Sequence, residues 1–147
     1  MIFLDEIVYR RSLGKLQRER EKTVRAYKSK WEALLKSKGG ADARDELRHD
    51  EQFELEEWDE EIDQLTTRHL REQARRLIVP LPAIDDEKAW FESKMFGFRL
   101  LTPEGVKIVR SDIRTEQKAR WEFWQTRVTL GLALIGSVFG ILAFFRK

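Results

Sequence analysis

Eighteen consecutive residues, Val128 to Phe145 (VTLGLALIGSVFGILAFF), carry no charge, and only Thr129 and Ser137 among them are polar. A helix of that length rises about 27 Å, close to the thickness of a bilayer's hydrocarbon core. Trp121, Phe123, Trp124 and Arg127 precede the stretch, and Arg146 and Lys147 follow it. Aromatic rings and a cation at one edge, with cations at the other, suit the two interfaces of a transmembrane helix. A buried helix of a soluble protein is the alternative, but such helices rarely present an apolar surface all round. The sequence therefore predicts a transmembrane helix over 128–145, in contact with membrane lipid. Two residues follow it, the layout of a tail anchor inserted after synthesis. Lys107, Arg110, Arg114, Lys118, Arg120 and Arg127 lie on its N-terminal side against Arg146 and Lys147 beyond it. That excess of cations predicts a cytoplasmic N-terminal part.

Charged residues make up 37% of the chain and stand almost entirely before residue 128. So dense a charge leaves too little apolar surface for a thick globular core and favours long, thin helical packing. The absence of cysteine excludes a disulfide framework, a thiol nucleophile and cysteine-based metal or haem sites, and fits a reducing compartment. The opening MIFLDEIVYRR does not read as a signal peptide, because Asp5 and Glu6 interrupt its short apolar run.

From Asp5 to about Lys38 there is no proline, and Leu13, Gln17, Arg20, Val24, Tyr27, Trp31 and Leu34 recur at alternating steps of four and three. That is a coiled-coil seam, apolar in its second half and polar in its first. Gly39-Gly40 stops the helix, and Asp42 is placed to cap the next one. The second helix runs to about Leu77 with its own seam: Glu51, Leu55, Trp58, Ile62, Leu65 and His69. Helices joined by so short a turn fold back antiparallel. Residues 10–38 hold eleven basic and three acidic side chains, net +8, whereas residues 41–63 hold two basic and twelve acidic, net −10. Folding about the glycines predicts the basic strip against the acidic one, with Arg20 near Asp59 and Val24 near Leu55. The basic strip alone would suit nucleic acid, but the chain supplies an acidic partner and lacks a base-reading motif, so nucleic acid is not expected.

Residues 78–102 break the helical pattern. Pro80 and Pro82 predict an extended path from Ile78 to Ala83. Asp85-Asp86-Glu87 predicts a helical turn through Trp90 and Phe91, and Met95 to Leu101 a turn and short strand that could pair with 90–93. An isolated two-stranded hairpin is marginal, so Trp90, Phe91, Phe96 and Phe98 need the helical hairpin, another copy or a membrane to pack on. Thr102-Pro103-Glu104 is a helix start with cap, first-position proline and first-turn acid. From there to Phe145 nothing obliges a break, although 125–127 could kink. Val106, Val109, Ile113, Arg120 and Trp124 share one partly apolar face. The expected class is all-α: a long antiparallel, coiled-coil-like helical hairpin over 1–77, a connector over 78–102 with a short β-hairpin, a juxtamembrane helix over 103–127, and its continuation as a single span over 128–145.

The run Phe98-Arg99-Leu100-Leu101-Thr102-Pro103-Glu104-Gly105, then Arg110, Ile113-Arg114, Glu116 and Trp121 or Trp124 ahead of a glycine-rich span, resembles a group of small bacterial single-span proteins with an LTPxG…IRxE…W segment. The resemblance covers about the last 50 residues. It implies a bacterial, membrane-anchored protein and nothing about chemistry; with the cation count, the location expected is the bacterial inner membrane.

His49-Asp50-Glu51 lies on a solvated acidic helix with no second metal ligand at matching spacing, and His69 sits on the seam as a packing residue. Paired carboxylates on a solvated helix have no cleft to separate their pKa values. No P-loop, dinucleotide fingerprint or nucleophile elbow is present, so neither an enzyme nor a cofactor is expected. Within the span, Ala133, Gly136, Ser137, Gly140 and Ala143 fall on one face, the small-residue spacing that lets helices approach closely in lipid. The expectation is a self-associating, tail-anchored protein. One reading makes it a membrane-perturbing effector of the toxin or phage-defence type, controlled by its cytoplasmic coiled coil. The alternative is a membrane-tethered scaffold that binds a cytoplasmic protein through the hairpin.

Overall fold

The computed structural model describes the backbone over 2–38, 40–95 and 97–145, and side chains within that range from residue 4 to residue 138. The elements run α1 (Ile2–Lys36), α2 (Ala41–Leu77), β1 (Trp90–Glu92), β2 (Arg99–Leu101) and α3 (Pro103–Phe145). α1 and α2 form the expected antiparallel hairpin. Its rungs are polar: Asp5 to Arg76, Glu6 to His69, Tyr9 to Thr66, Arg20 to Asp59, Thr23 to Trp58, Tyr27 to Glu54 and Trp31 to Glu51. As the α1 number rises the α2 number falls almost step for step, which fixes one register.

The turn differs in detail from the sequence reading. Gly39 lies outside the described residues, and the left-handed position just before it belongs to Lys38, at φ 52°. Gly40, extended at φ −62° and ψ 172°, precedes α2 without a side-chain cap. Asp42 therefore does not cap. It lies in the first turn, where a carboxylate still favours the positive end of the helix dipole.

Ile78 also departs from the expected extended path. It closes α2 in the left-handed region, at φ 60°. The Val79 amide bonds back to the Ala74 carbonyl at 2.9 Å and the Ile78 amide to Arg75 at 3.4 Å, the paired bonds of a Schellman motif. Val79 then tucks into the core beside Ala74. The extended path that the prolines favour starts only after this cap. A β-branched residue pays heavily for left-handed backbone, and Ile78 is 84% exposed, so its side chain returns little. Ile78→Gly should stabilise the fold by about 1 kcal/mol, seen as a higher denaturant midpoint at unchanged slope.

β1 and β2 pair antiparallel, Trp90 opposite Leu101 and Glu92 opposite Arg99. The acidic turn before them ends at Ala89, held by the Ala89 and Trp90 amides on the Asp86 carbonyl and by an Asx bond from the Lys88 amide to the Asp86 carboxylate. Trp90 and Phe91 consequently stand on a strand and not on a helical turn. Trp90 packs on the helices. With Leu70 and Ala74 of α2, Ala89, Leu101, and Val109 and Ile113 of α3 it makes the core, flanked by Leu77, Val79, Leu81 and Val106. Phe98 stays partly exposed, and Phe96 lies outside the described residues.

α3 is one helix of 43 residues with no interruption at 125–127. Thr102 caps it, its Oγ1 accepting the Gly105 amide at 3.0 Å. The Leu101 amide bonds Thr67, ten residues before the end of α2, while Arg120 donates to the Leu77 carbonyl at its end. α3 therefore passes α2 in the same sense, so its far end and the hairpin's glycine turn point in opposite directions.

Candidate functional site: an unpartnered apolar helix

Two devices seat the first half of α3. At its start, the cap and the core side chains Val109 and Ile113 lock it to the connector and α2. Further along, Arg120 is held by Glu116 at 2.7 Å and reaches the last carbonyl of α2 at 2.9 Å. Arg120 thus marks where α3 leaves the body of the molecule. From Trp121 to Leu130 every residue is exposed, and so is every residue from Leu132 to Val138. Trp121 is 70% exposed, Trp124 64% and Leu134 69%. Arg127 stacks its guanidinium 4.1 Å from the Phe123 ring, so cation and aromatic collar sit together where the charged half of α3 gives way to the apolar half. A single chain leaves nine large apolar side chains of this segment in water; covering them is worth on the order of 10 kcal/mol.

Among the described residues, no helix is long and apolar enough to cross a membrane. Only the first eleven residues of the candidate span, Val128 to Val138, have described side chains, about 16 Å of helix. The side chains of 139–145 lie outside the described residues, among them Gly140 and Ala143 of the small face, and so do Arg146 and Lys147. Ala133, Gly136 and Ser137 are exposed, and a Cβ at Gly136 would meet nothing within 4 Å. Among the described residues, nothing requires Gly136 to be small.

The seam residues Trp31, Leu34, Leu55, Trp58, Ile62 and Leu65 are half-buried, and Tyr27 is buried. Val24 is 38% exposed. Two helices without a third layer cannot dry a seam, and polar groups take the place of apolar contact. Trp31 donates to Glu51 at 2.6 Å, Trp58 to Thr23 at 3.1 Å and Tyr27 to Glu54 at 2.9 Å. Desolvation, and then the Glu54 carboxylate, push the Tyr27 phenol up to about 12, so it stays a donor. The predicted Arg20–Asp59 pair is present and bidentate, at 2.7 and 3.0 Å. Among the described residues it is also the one ion pair joining the two strips; the broader strip-to-strip pairing expected from the charge pattern is absent. Lys30 instead lies over the Tyr27 ring at 4.1 Å, and Lys22 and Arg25 pair with Glu19 and Glu21 of their own helix.

Three contacts escaped the sequence reading. Tyr9 stacks on His69 with centroids 3.9 Å apart, and His69 Nε2 lies 3.1 Å from Glu6 and 2.9 Å from Gln73. Thr67 satisfies the β2 backbone. Glu60 clamps the β-hairpin loop, accepting from the Ser93 hydroxyl, the Lys94 amide at 3.1 Å and the Met95 amide at 3.3 Å. Of these residues only His69 stood on the seam read from the sequence; Tyr9, Thr67 and Glu60 did not.

Burial pushes the Glu60 carboxyl up, but the hydrogen bonds from Ser93, Met95 and Lys94 outweigh it and leave the group below its ordinary 4.5. A carboxyl lowered on folding stabilises above pH 4.5, and that contribution is lost as pH falls through its folded value. Glu60→Gln should therefore cost about 1–2 kcal/mol at neutral pH, with the gap to wild type shrinking in acid. Denaturant midpoints from pH 7 to pH 3 check it. Asp63 acts oppositely: burial first, then Asp59 and Glu60, raise its carboxyl, so acid relieves it.

No family model, no curated protein and no solved structure matches the chain.

Proposed function

We propose that this is a non-enzymatic bacterial inner-membrane protein, anchored by the apolar half of α3 as a single span, with its helical hairpin in the cytoplasm. The supporting observation is the exposed run from Trp121 to Val138, which has its aromatic collar but, among the described residues, no other element of the chain packed on it. Lipid supplies the missing apolar environment, and the residues 139–145 supply the remaining length. Copies associate through Ala133, Gly136, Ser137, Gly140 and Ala143. Because α3 is unbroken from the core to the apolar segment, any movement of the hairpin turns or tilts the span. That coupling favours a membrane-perturbing effector over a passive scaffold for a cytoplasmic partner. The segment resembling small bacterial single-span proteins is consistent with the location. Alkaline carbonate extraction of bacterial membranes tests the anchor: the protein should stay in the pellet, and release into the supernatant would remove the basis of the reading.

A further inference from the structure

α1 and α3 both pack on α2 but scarcely meet each other. Between them lies an open cleft of about 720 Å³, lined from Glu6 to Leu13 of α1 and from Arg110 to Gln117 of α3, with His69, Leu70 and Gln73 of α2. Small-molecule sites run to roughly 300–1,000 Å³, so the cleft is of that size. Its floor is apolar: Leu70 and Ile113 are buried and Leu13 is half-buried. The polar groups on the α1 side are already engaged. Glu6 accepts from Arg10 at 2.6 Å and from Gln73 at 3.3 Å and lies 3.1 Å from His69, while Tyr9 bonds Thr66. The α3 side differs. Among the described residues, neither Arg110 nor Arg114 has an ion pair, a hydrogen bond or a ring contact. They stand one turn apart, about 6 Å between Cβ atoms, and repel each other. Their neighbours three and four residues away are Val106, Lys107, Ser111, Ile113, Gln117 and Lys118, so their own helix offers no acid. Free cations are ordinary on an exposed helix; the apolar floor beside these two is not.

We propose that this cleft binds a soluble phosphate monoester, its phosphate held between Arg110 and Arg114 and its apolar body lying over Leu13, Leu70 and Ile113. Three guanidiniums line the cleft against one carboxylate, so the occupant is an anion. A phosphate monoester carries a charge of about −1.5 to −2 at neutral pH, which two unpaired guanidiniums balance better than they would a single carboxylate. Each guanidinium can also fork onto two phosphate oxygens. Two turns of wall are short for a docked helix, which averages about three turns, but they match a small molecule. Lipid headgroups are the other source of phosphate. Along the unbroken α3, Arg114 and Arg110 lie roughly 10 and 17 Å before Trp121, so a lipid phosphate would have to rise well clear of the aromatic collar. That exclusion of lipid rests on the membrane reading; the cleft itself does not. An occupant bridges α1 and α3, and so ties the hairpin directly to the exit helix.

Phenyl phosphate is the probe, with phenol and inorganic phosphate as its separated halves. The chain has two histidines, so selective carbon-13 labelling of histidine gives one signal at the cleft, His69, and one about 30 Å away along α2, His49. The full-length chain in zwitterionic nanodiscs is titrated at fixed pH and ionic strength. Phenyl phosphate should shift His69 saturably, with a midpoint below about 10 mM, and leave His49 in place. R110Q/R114Q should weaken binding at least about tenfold. Its unfolding midpoint should hold, because an exposed repelling pair is removed. R110K/R114K keeps the charge without the fork and should fall between the two. No saturable shift of His69, or full affinity in R110Q/R114Q, would overturn the proposal. So would phenol binding as tightly as phenyl phosphate, which would leave an apolar cleft alone. Equal shifts of His49 and His69 would mean unspecific ion binding and overturn it too. A His69 shift produced by anionic lipid in the nanodisc, and lost in R110Q/R114Q, would give the arginines to headgroups instead. The same titration in zwitterionic detergent micelles still reads the cleft if the chain fails to enter nanodiscs, a failure that counts against the anchor alone.

Discussion

Gly105→Ala should be the most damaging single methyl added to this molecule, costing about 3 kcal/mol or more and loosening α3 from the body. A Cβ at Gly105 would lie 2.2 Å from the Ala89 carbonyl oxygen and 3.0 Å from the Leu101 side chain. No rotamer relieves a clash with backbone. Nor can the Ala89 carbonyl retreat cheaply, because it accepts the Thr102 amide at 3.0 Å and Ala89 is fully buried. The Thr102 hydroxyl meanwhile donates to the Lys88 carbonyl. Two consecutive carbonyls of the connector thus face the start of α3, where unsatisfied amides and the positive end of the dipole favour them. Adding a methyl pushes this joint apart and weakens the core around Trp90 and Val109. Thermal or denaturant unfolding of the alanine variant, with near-ultraviolet circular dichroism of the tryptophans, measures the loss. Gly131→Ala is the control: open space surrounds that position, so it should change stability little. A Gly105→Ala chain as stable as wild type would mean that the connector does not dock as described.

The segment Leu101-Thr102-Pro103-Glu104-Gly105 shows what a sequence does and does not display. Its cap and first-position proline follow local rules and were legible, as was the pairing of 90–92 with 99–101. The need for glycine at 105 comes from a carbonyl sixteen residues earlier, which no local pattern encodes. The hairpin was legible for a related reason: a seam at steps of three and four and a short turn are both local. The partner of each charge was not. Net charges of +8 and −10 predict attraction between strips, but only a residue flanking the seam can reach across, and Arg20 does where Lys22 and Arg25 do not. The glycine turn was placed correctly, while Asp42 was misread as the cap because capping depends on where the first amide points. The apolar segment was read from its length and flanks, and its described part is exposed, with the collar at its base. Leu70 and Ala74 as the face for α3 stayed hidden, because a helix with more charged than apolar residues gives a weak signal of where a third layer docks.

Replacing Gly136 and Gly140 with leucine should have the largest effect on function while leaving the hairpin and its core untouched. In lipid no hydrophobic force drives helices together, so association relies on close backbone approach, which small residues permit and leucine blocks. The substitution keeps the segment at least as apolar, so insertion should survive and carbonate extraction should be unchanged. Fold stability should also hold, since a Cβ at Gly136 meets nothing within 4 Å among the described residues. The contrast with Gly105 is informative: one glycine is explained by an atom of its own chain, the other by none among the described residues. Crosslinking through the span in membranes should lose most of its oligomers in the double-leucine protein, and growth inhibition on overexpression, or dye leakage from vesicles, should fall with it. Oligomers and membrane activity both unchanged would reduce the span to an anchor. Oligomers lost, in a protein whose wild type never disturbs the membrane, would describe a scaffold: the small face gathers copies, and the hairpins they present, not the bilayer, carry the function.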